Sequence, residues 1–529
     1  MRHSRMAPFH ALPWLLAGCL ACFAASPQPM SVPAGAKAGA LLLRPAEFQT
    51  PEGRRYAGDR GLLVVPENRQ VHSRLIALPV VRIRTGCAHP GEPVFLLRGG
   101  PGASNITKGK IYSDVEGLLA TRDFVMVGYR GVDGSVVLDC PEVSAAMKGK
   151  GGDLLGAESL ANLAQAMAAA RTRLESTGVD LRGYSVPEVA EDLDAARAAL
   201  GYPRLDFWSM SYGTRVALIY AQLHPERVRR SLMVGANPPG HFIWDPRTID
   251  AQIERYARLW AQDPERARRC PDLAGTMRRV AHHMPRHWFG LAIDPGKVRV
   301  VTFAMLYERA SAATVIDAYV AADHGDASGL ALMSRLCDRV VPRSVVWGEA
   351  FCKGMVDRDP GRNYVAEMDP PEAILGSPTS LLFFGPITGS NPWPDPPVPA
   401  ALRRVQPSAV ETLVLSGNLD FSTPAEAATT DLLPCLSQGQ QIVLSELGHI
   451  NDLQGNQDEA FEKLMRDFFA TGKADASGFH HVPMDFHVKW RLGTLAKLAL
   501  GAGLGLILLV AGLAVLGWRF LRRWRRGDH

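Results

Sequence analysis

A short apolar strand, Leu205 to Trp208, runs into the small-residue turn Ser209-Met210-Ser211-Tyr212-Gly213, and a helix from Thr214 to Leu223 follows with no linker. A strand that turns this abruptly into a helix belongs to an α/β sheet and holds its corner residue strained and exposed. Ser211 occupies that corner and is the candidate nucleophile. Strand and helix nearly collide at such an elbow, so small residues flank it: Ser209 on one side, Gly213 on the other. A buried serine in an ordinary strand–helix turn has the same local pattern, so the reading depends on the rest of the chain.

Three further segments supply that support, in order. Pro93 to Leu97 reads as a buried strand ending in the loop Arg98-Gly99-Gly100-Pro101-Gly102. Glycine lets backbone N–H groups approach a ligand unobstructed, as an oxyanion hole needs. Downstream, the strand Thr412 to Ser416 leads through Gly417-Asn418-Leu419 to Asp420, and the strand Ile442 to Leu444 is followed by Gly448-His449. Singly, Asp420 reads as a helix cap before Pro424 and His449 as a surface loop residue. Together, each after a strand, they complete the order Ser211, Asp420, His449.

A serine hydroxyl is a poor nucleophile until a base takes its proton. His449 is placed to take it and later to protonate the leaving group. Asp420 fixes the imidazole tautomer and stabilises the imidazolium. The N–H groups of Gly100 and Tyr212 are the expected oxyanion donors. The expected reaction is acyl transfer to Ser211 followed by hydrolysis. It implies no cofactor, and no cysteine–histidine spacing suggests a metal.

These motifs resemble the proline iminopeptidase/tripeptidyl aminopeptidase group of serine peptidases in the α/β-hydrolase superfamily. The matching stretches are Gly61 to Glu67, Arg98 to Ser104, Arg130 to Ser135 with Asp139-Cys140-Pro141, Ser211 to Arg215, Asp420 to Pro424, and Gly448-His449. They span most of residues 60–455. The chain departs from the group's pattern at three places. Arg98 stands where the group usually has His, Tyr129 where it has Asp, and Ser209 where the elbow has Gly. The resemblance implies an α/β-hydrolase fold, with a doubly wound, mostly parallel sheet and an inserted helical cap. It also implies a peptidase that removes N-terminal residues from short peptides, with acidic cap residues binding the free amine. Glu308, Asp317, Glu349 and Asp357 are the cap acids considered for that role.

The two ends carry a second message. Arg2, His3 and Arg5 precede an apolar stretch from Ala11 to Ala25, with small residues at Ala24, Ala25 and Ser26. This reads as an export signal over 1–25, and Leu16-Ala17-Gly18-Cys19 is the alternative, a lipidation box. Leu498 to Trp518 is uncharged and apolar, about 31 Å long as a helix, which is enough for a hydrocarbon core. Arg519, Arg522, Arg523, Arg525 and Arg526 follow, so the positive-inside rule puts the tail 519–529 in the cytoplasm and the catalytic region outside it. The net charge of +5 owes much to those arginines. Nothing resembles a nucleic-acid-binding motif.

Between the ends, the expected organisation is a first core part over 40–240, a helical cap over 241–398, a second core part over 399–471 and a tether over 472–497. Ser185 and Glu188 are expected to form a capping box. Six cysteines remain outside the signal: Cys87, Cys140, Cys270, Cys337, Cys352 and Cys435. An even number in an exported chain suggests disulfides; Cys337 with Cys352, and Cys87 with Cys140, are the expected pairs. A carboxylesterase or lipase uses the same triad, so a short peptide or a small ester is the expected substrate. A non-catalytic binding module on this scaffold is the reading from another class, and it gives no reason to keep all three triad residues.

Overall fold

The computed structural model describes residues 30–50, 53–106, 113–149, 152–389 and 391–524. The expected export signal, Cys19, Arg525 and Arg526 lie outside the described residues.

Nine strands form one sheet: β1 (Leu41–Gln49), β2 (Arg55–Pro66), β3 (Leu75–Ile83), β4 (Val94–Leu97), β5 (Phe124–Val127), β6 (Leu205–Met210), β7 (Val228–Val234), β8 (Glu411–Gly417) and β9 (Gly439–Leu444), in the order β1-β2-β3-β5-β4-β6-β7-β8-β9. The pairings from β1 to β5 through β2 and β3 are antiparallel. The other five are parallel. The central strands are covered on both faces, so β4 and β5 read as uninterrupted apolar runs with every residue buried. Side chains alternate between the faces. Phe95, Leu97 and Phe207 enter one core; Val94, Leu96 and Trp208 enter the other with Phe461, Leu464 and Phe468.

Helix α1 (Tyr212–Leu223) leaves β6 with no linker. The insertion between β7 and β8 is mainly helical. It contains α2 (Pro246–Ala261), α3 (Pro295–Met305), α4 (Arg309–Asp323), α5 (Ser328–Val340) and α6 (Trp347–Gly354), and one small hairpin of His287–Trp288 with Leu291–Ala292. Helices α2 and α3 start where Asp245 and Asp294 accept first-turn N–H groups. After β9 come α7 (Ile450–Gly455), α8 (Asp458–Thr471) and α9 (Leu492–Trp524).

Three local expectations need correction. Ser185 is the N-cap of its helix but makes no side-chain cap bond. Glu188 is taken instead by Arg69, whose backbone N donates to it at 3.0 Å, and it also pairs with the buried Arg130. The six described cysteines are free. Cys352 packs against Trp393, whose indole N–H reaches its Sγ at 3.4 Å, and burial pushes its thiol up to about 12. The apolar helix begins at Leu492, ahead of Leu498, because its first turns pack on the cap. Leu492 and Ala496 are buried there, and Lys497 Nζ meets Asp326 at 2.7 Å. Residues 492–519 have a mean hydropathy of 2.5 at their most apolar and are long enough to cross a membrane.

Candidate active site

All four expected functional segments reach the carboxyl edge of the sheet, where open α/β sheets bind ligands. The glycine loop follows β4, Ser211 follows β6, Asp420 follows β8 and His449 follows β9. Ser211 has φ 50° and ψ −126°, a strained conformation for a residue with a side chain. Its N–H donates to Val234 O at 2.9 Å, so the neighbouring strand fixes the corner. At Gly213 a Cβ would lie 2.3 Å from Leu97 O, so the elbow accepts no larger residue there. Ser209 is tolerated in place of glycine because its side chain turns into the sheet, where Oγ donates to Leu232 O at 3.1 Å.

Asp420 is fully buried, and its carboxylate is saturated with donors. Oδ1 accepts the N–H groups of Ser422 and Thr423, each at 2.8 Å. Oδ2 accepts Thr423 Oγ1 at 2.8 Å and lies 2.7 Å from His449 Nδ1. Burial works against its charge, but His449 and the Thr423 bonds outweigh that and hold the carboxyl below its ordinary range. With Nδ1 on the carboxylate, Nε2 is the remaining ring nitrogen. Ser211 and His449 line one cavity, and no hydrogen bond joins them in this structure, a common state before substrate tightens the site. At Gly235, just after β7, a Cβ would sit 2.7 Å from Thr423 Oγ1 and 3.1 Å from His449 Cε1.

Gly100, one of the two expected oxyanion donors, stands on a braced loop. Asn105 accepts Arg98 N at 2.8 Å, and its amide donates to Leu96 O and Val127 O. Asp133 accepts Asn105 N and Tyr129 N, each at 2.9 Å, and the Ser104 hydroxyl. Gly102 N donates to the buried Glu349 at 2.5 Å. The N–H of Tyr212 lies in the first turn of α1 and has no intrahelical acceptor. Two of the positions that depart from the resembling group's pattern meet here: the Tyr129 hydroxyl donates to Arg98 O at 3.1 Å, and Arg98 lines the cavity.

The cap covers the site over a cavity of about 320 Å³, walled by Phe242, Trp244, Val300, Trp347, Leu382 and Phe383. It also grips the loops that carry Asp420 and His449. Tyr307 O accepts His449 N at 2.6 Å, and Trp244 Nε1 donates to Ser422 O at 2.7 Å. Of the cap acids considered, Glu308 alone lines the cavity. It accepts the N–H groups of Asn451 and Asp452. Burial and the adjacent Asp452 carboxylate keep its carboxyl well above the ordinary range. Asp317 pairs with Arg269 at 2.8 Å and Asp357 with Arg215 at 2.9 Å, which makes them braces. The residues the sequence reading missed are Thr423, Gly235 and Tyr307. Thr423 alone carries a sequence signal, since it lies three positions beyond Asp420 within the stretch Asp420 to Pro424.

Comparison with known proteins places the central part of the chain in the same fold. Residues 92–287 match a family model described as alpha/beta hydrolase fold. The chain is 28% identical over 207 residues to a tripeptidyl aminopeptidase of Streptomyces coelicolor, covering 36% of this chain and 38% of that protein. It is 45% identical over 67 residues to the serine protease Hip1 of Mycobacterium tuberculosis, covering 13% of this chain and 12% of that one. The chain thus spans well under half the length of these relatives. Among solved structures, a proline iminopeptidase of Mycobacterium smegmatis aligns over 78% of this chain and 98% of its own, with 14% identity and a TM-score of 0.38.

Proposed function

We propose that this chain is an exported, membrane-tethered serine peptidase that releases N-terminal residues from short peptides through an acyl-serine intermediate. The observation that carries the reading is the meeting of Ser211, His449 and Glu308 in one cap-covered apolar cavity, with Asp420 bonded behind the imidazole. Ser211 Oγ gives its proton to His449 Nε2 as it attacks the scissile carbonyl. The developing oxyanion is held by the N–H groups of Gly100 and Tyr212. His449 then protonates the leaving amine, and a water deprotonated by the same nitrogen releases the acyl product. Asp420 stays ionised throughout, in keeping with its lowered pKa.

Glu308 is the partner for the substrate's ammonium group. The arriving cation favours the ionised carboxylate that the empty site disfavours. The predominantly apolar walls favour apolar side chains. The helix at Leu492–Trp524 is the anchor, and the arginines at its end orient it with the catalytic region outside the cytoplasm. The similarity to a tripeptidyl aminopeptidase supports the substrate class.

The test is a panel of peptide amides with free and acetylated N-termini, beside short-chain nitrophenyl esters, on the full-length protein. Free-amine peptides are expected to be turned over, and Ser211→Ala is expected to lose at least about 10⁴-fold in kcat. Hydrolysis of esters alone would replace the peptidase reading with an esterase.

A further inference from the structure

Residues 479–491, between α8 and α9, were expected to be a plain tether, yet they lie against both loops that carry the catalytic acid and base. Phe486 is buried and meets Tyr256 and Trp260 edge to face, with ring centroids 6.2 and 5.3 Å away. Tyr256, also buried, stacks on Phe421 at 5.9 Å and 27°, and Phe421 directly follows Asp420. One row of rings thus joins this segment to the acid loop, and all of its rings belong to one hydrophobic core shared with the cap helices.

A second set of contacts reaches the histidine loop. Glu446, three residues before His449, accepts Met484 N at 2.6 Å and lies 2.9 Å from His481 Nε2. The Arg309 guanidinium donates to Pro483 O. Its backbone N donates at 2.9 Å to Asp452, which also accepts Gly448 N at 2.8 Å. Beyond the segment, α9 is fastened to the cap through Lys497 and Asp326.

We propose that residues 479–491 form a strap that positions the Asp420 and His449 loops, with Phe486 as its wedge, so that the seating of the apolar helix α9 is coupled to turnover. The strap touches no substrate and acts through Tyr256, Phe421 and Glu446. Through Phe486, Tyr256 and Phe421 the wedge bears on the acid loop, so its loss falls on the rate of the chemical steps and leaves KM nearly unchanged. The inference rests on the triad reading, and the test separates the two.

Full-length wild type, Phe486→Ala, Phe486→Leu and Ser211→Ala are purified in detergent. Active serines are counted by exhaustive fluorophosphonate labelling, and kcat and KM are measured per labelled site. Phe486→Ala is expected to lose about 10- to 100-fold in kcat with KM within about twofold, since small misplacement of catalytic groups costs that much. Phe486→Leu, which refills most of the space, is expected to recover most of the loss, to within roughly threefold of wild type. A kcat for Phe486→Ala within twofold of wild type, or a loss carried by KM alone, overturns the strap. If Phe486→Ala does not fold, Glu446→Ala, which removes the acceptor of Met484 N and the partner of His481, is read instead, and a kcat within twofold of wild type overturns the strap. Retained activity in Ser211→Ala overturns the triad reading itself.

Discussion

Ser211 is held by the sheet, whereas the glycine loop, Asp420 and His449 are also gripped by the cap. On the nucleophile side the fixing bonds come from adjacent strands and turns: Ser211 N to Val234 O, Ser209 Oγ to Leu232 O, and Asn105 to Leu96 and Val127. On the acid–base side they come from the cap: Tyr307 O to His449 N, Trp244 to Ser422 O, and Arg255 to Asn418 O at 2.7 Å. The nucleophile's geometry is therefore as rigid as the core. The acid and base depend on how the cap sits, so cap movement alters His449 while Ser211 stays in place.

The largest expected effect breaks the acid–base side at its centre. Asp420→Asn keeps the size of the side chain but loses the charge that stabilises the imidazolium and selects its tautomer. We expect kcat to fall about 10⁴-fold, with fluorophosphonate labelling of Ser211 slowed in parallel and Tm little changed. A loss under tenfold would mean that His449 is oriented without Asp420.

A smaller effect is expected where the two sides touch. Gly235 has φ 62° and leaves no room for a Cβ beside Thr423 and His449. Gly235→Ala is expected to lower kcat by about 10- to 100-fold and to cost roughly 1 kcal/mol or more of stability through the strained backbone. Wild-type kcat in this variant would show that the acid–base side tolerates displacement.

The smallest effect concerns pH and sharpens the contrast between the two buried carboxyls. Asp420 is lowered and Glu308 is raised, although both are buried. Donors surround the first, while the second faces the Asp452 carboxylate. A carboxyl raised in the folded state contributes stability at low pH that is lost as pH rises toward its folded value. Glu308→Gln removes that dependence. Its Tm is expected to match wild type below pH 4.5, the ordinary glutamate value, and to exceed it increasingly above, by on the order of 1–2 °C. The same variant is expected to raise KM for free-amine peptides about tenfold or more and to leave acetylated ones unchanged. Thermal melts across pH and paired kinetics on the two substrate forms check both statements.

What could be read from the chain follows the same division. The elbow at Ser211 was legible because a strand, a corner and a helix are contiguous and their steric demands select residue types locally. The glycine loop, Asp420 and His449 were legible as strand ends in a fixed order. The capping box at Ser185 and the disulfides were misread because each depended on what lay across from it. Arg69 and Arg130 compete for Glu188, and Trp393 packs against the Cys352 thiol.

The sequence by itself determined the fold class and singled out Ser211, Asp420 and His449 as the candidate set, since those readings rest on periodicity, turn chemistry and order along the chain. Only the tertiary structure decided which acid enters the cavity, that Gly235 must lack a side chain, and that residues 479–491 dock as a strap. Each of these depends on residues distant in sequence meeting through packing, and packing leaves no periodic trace in any one segment.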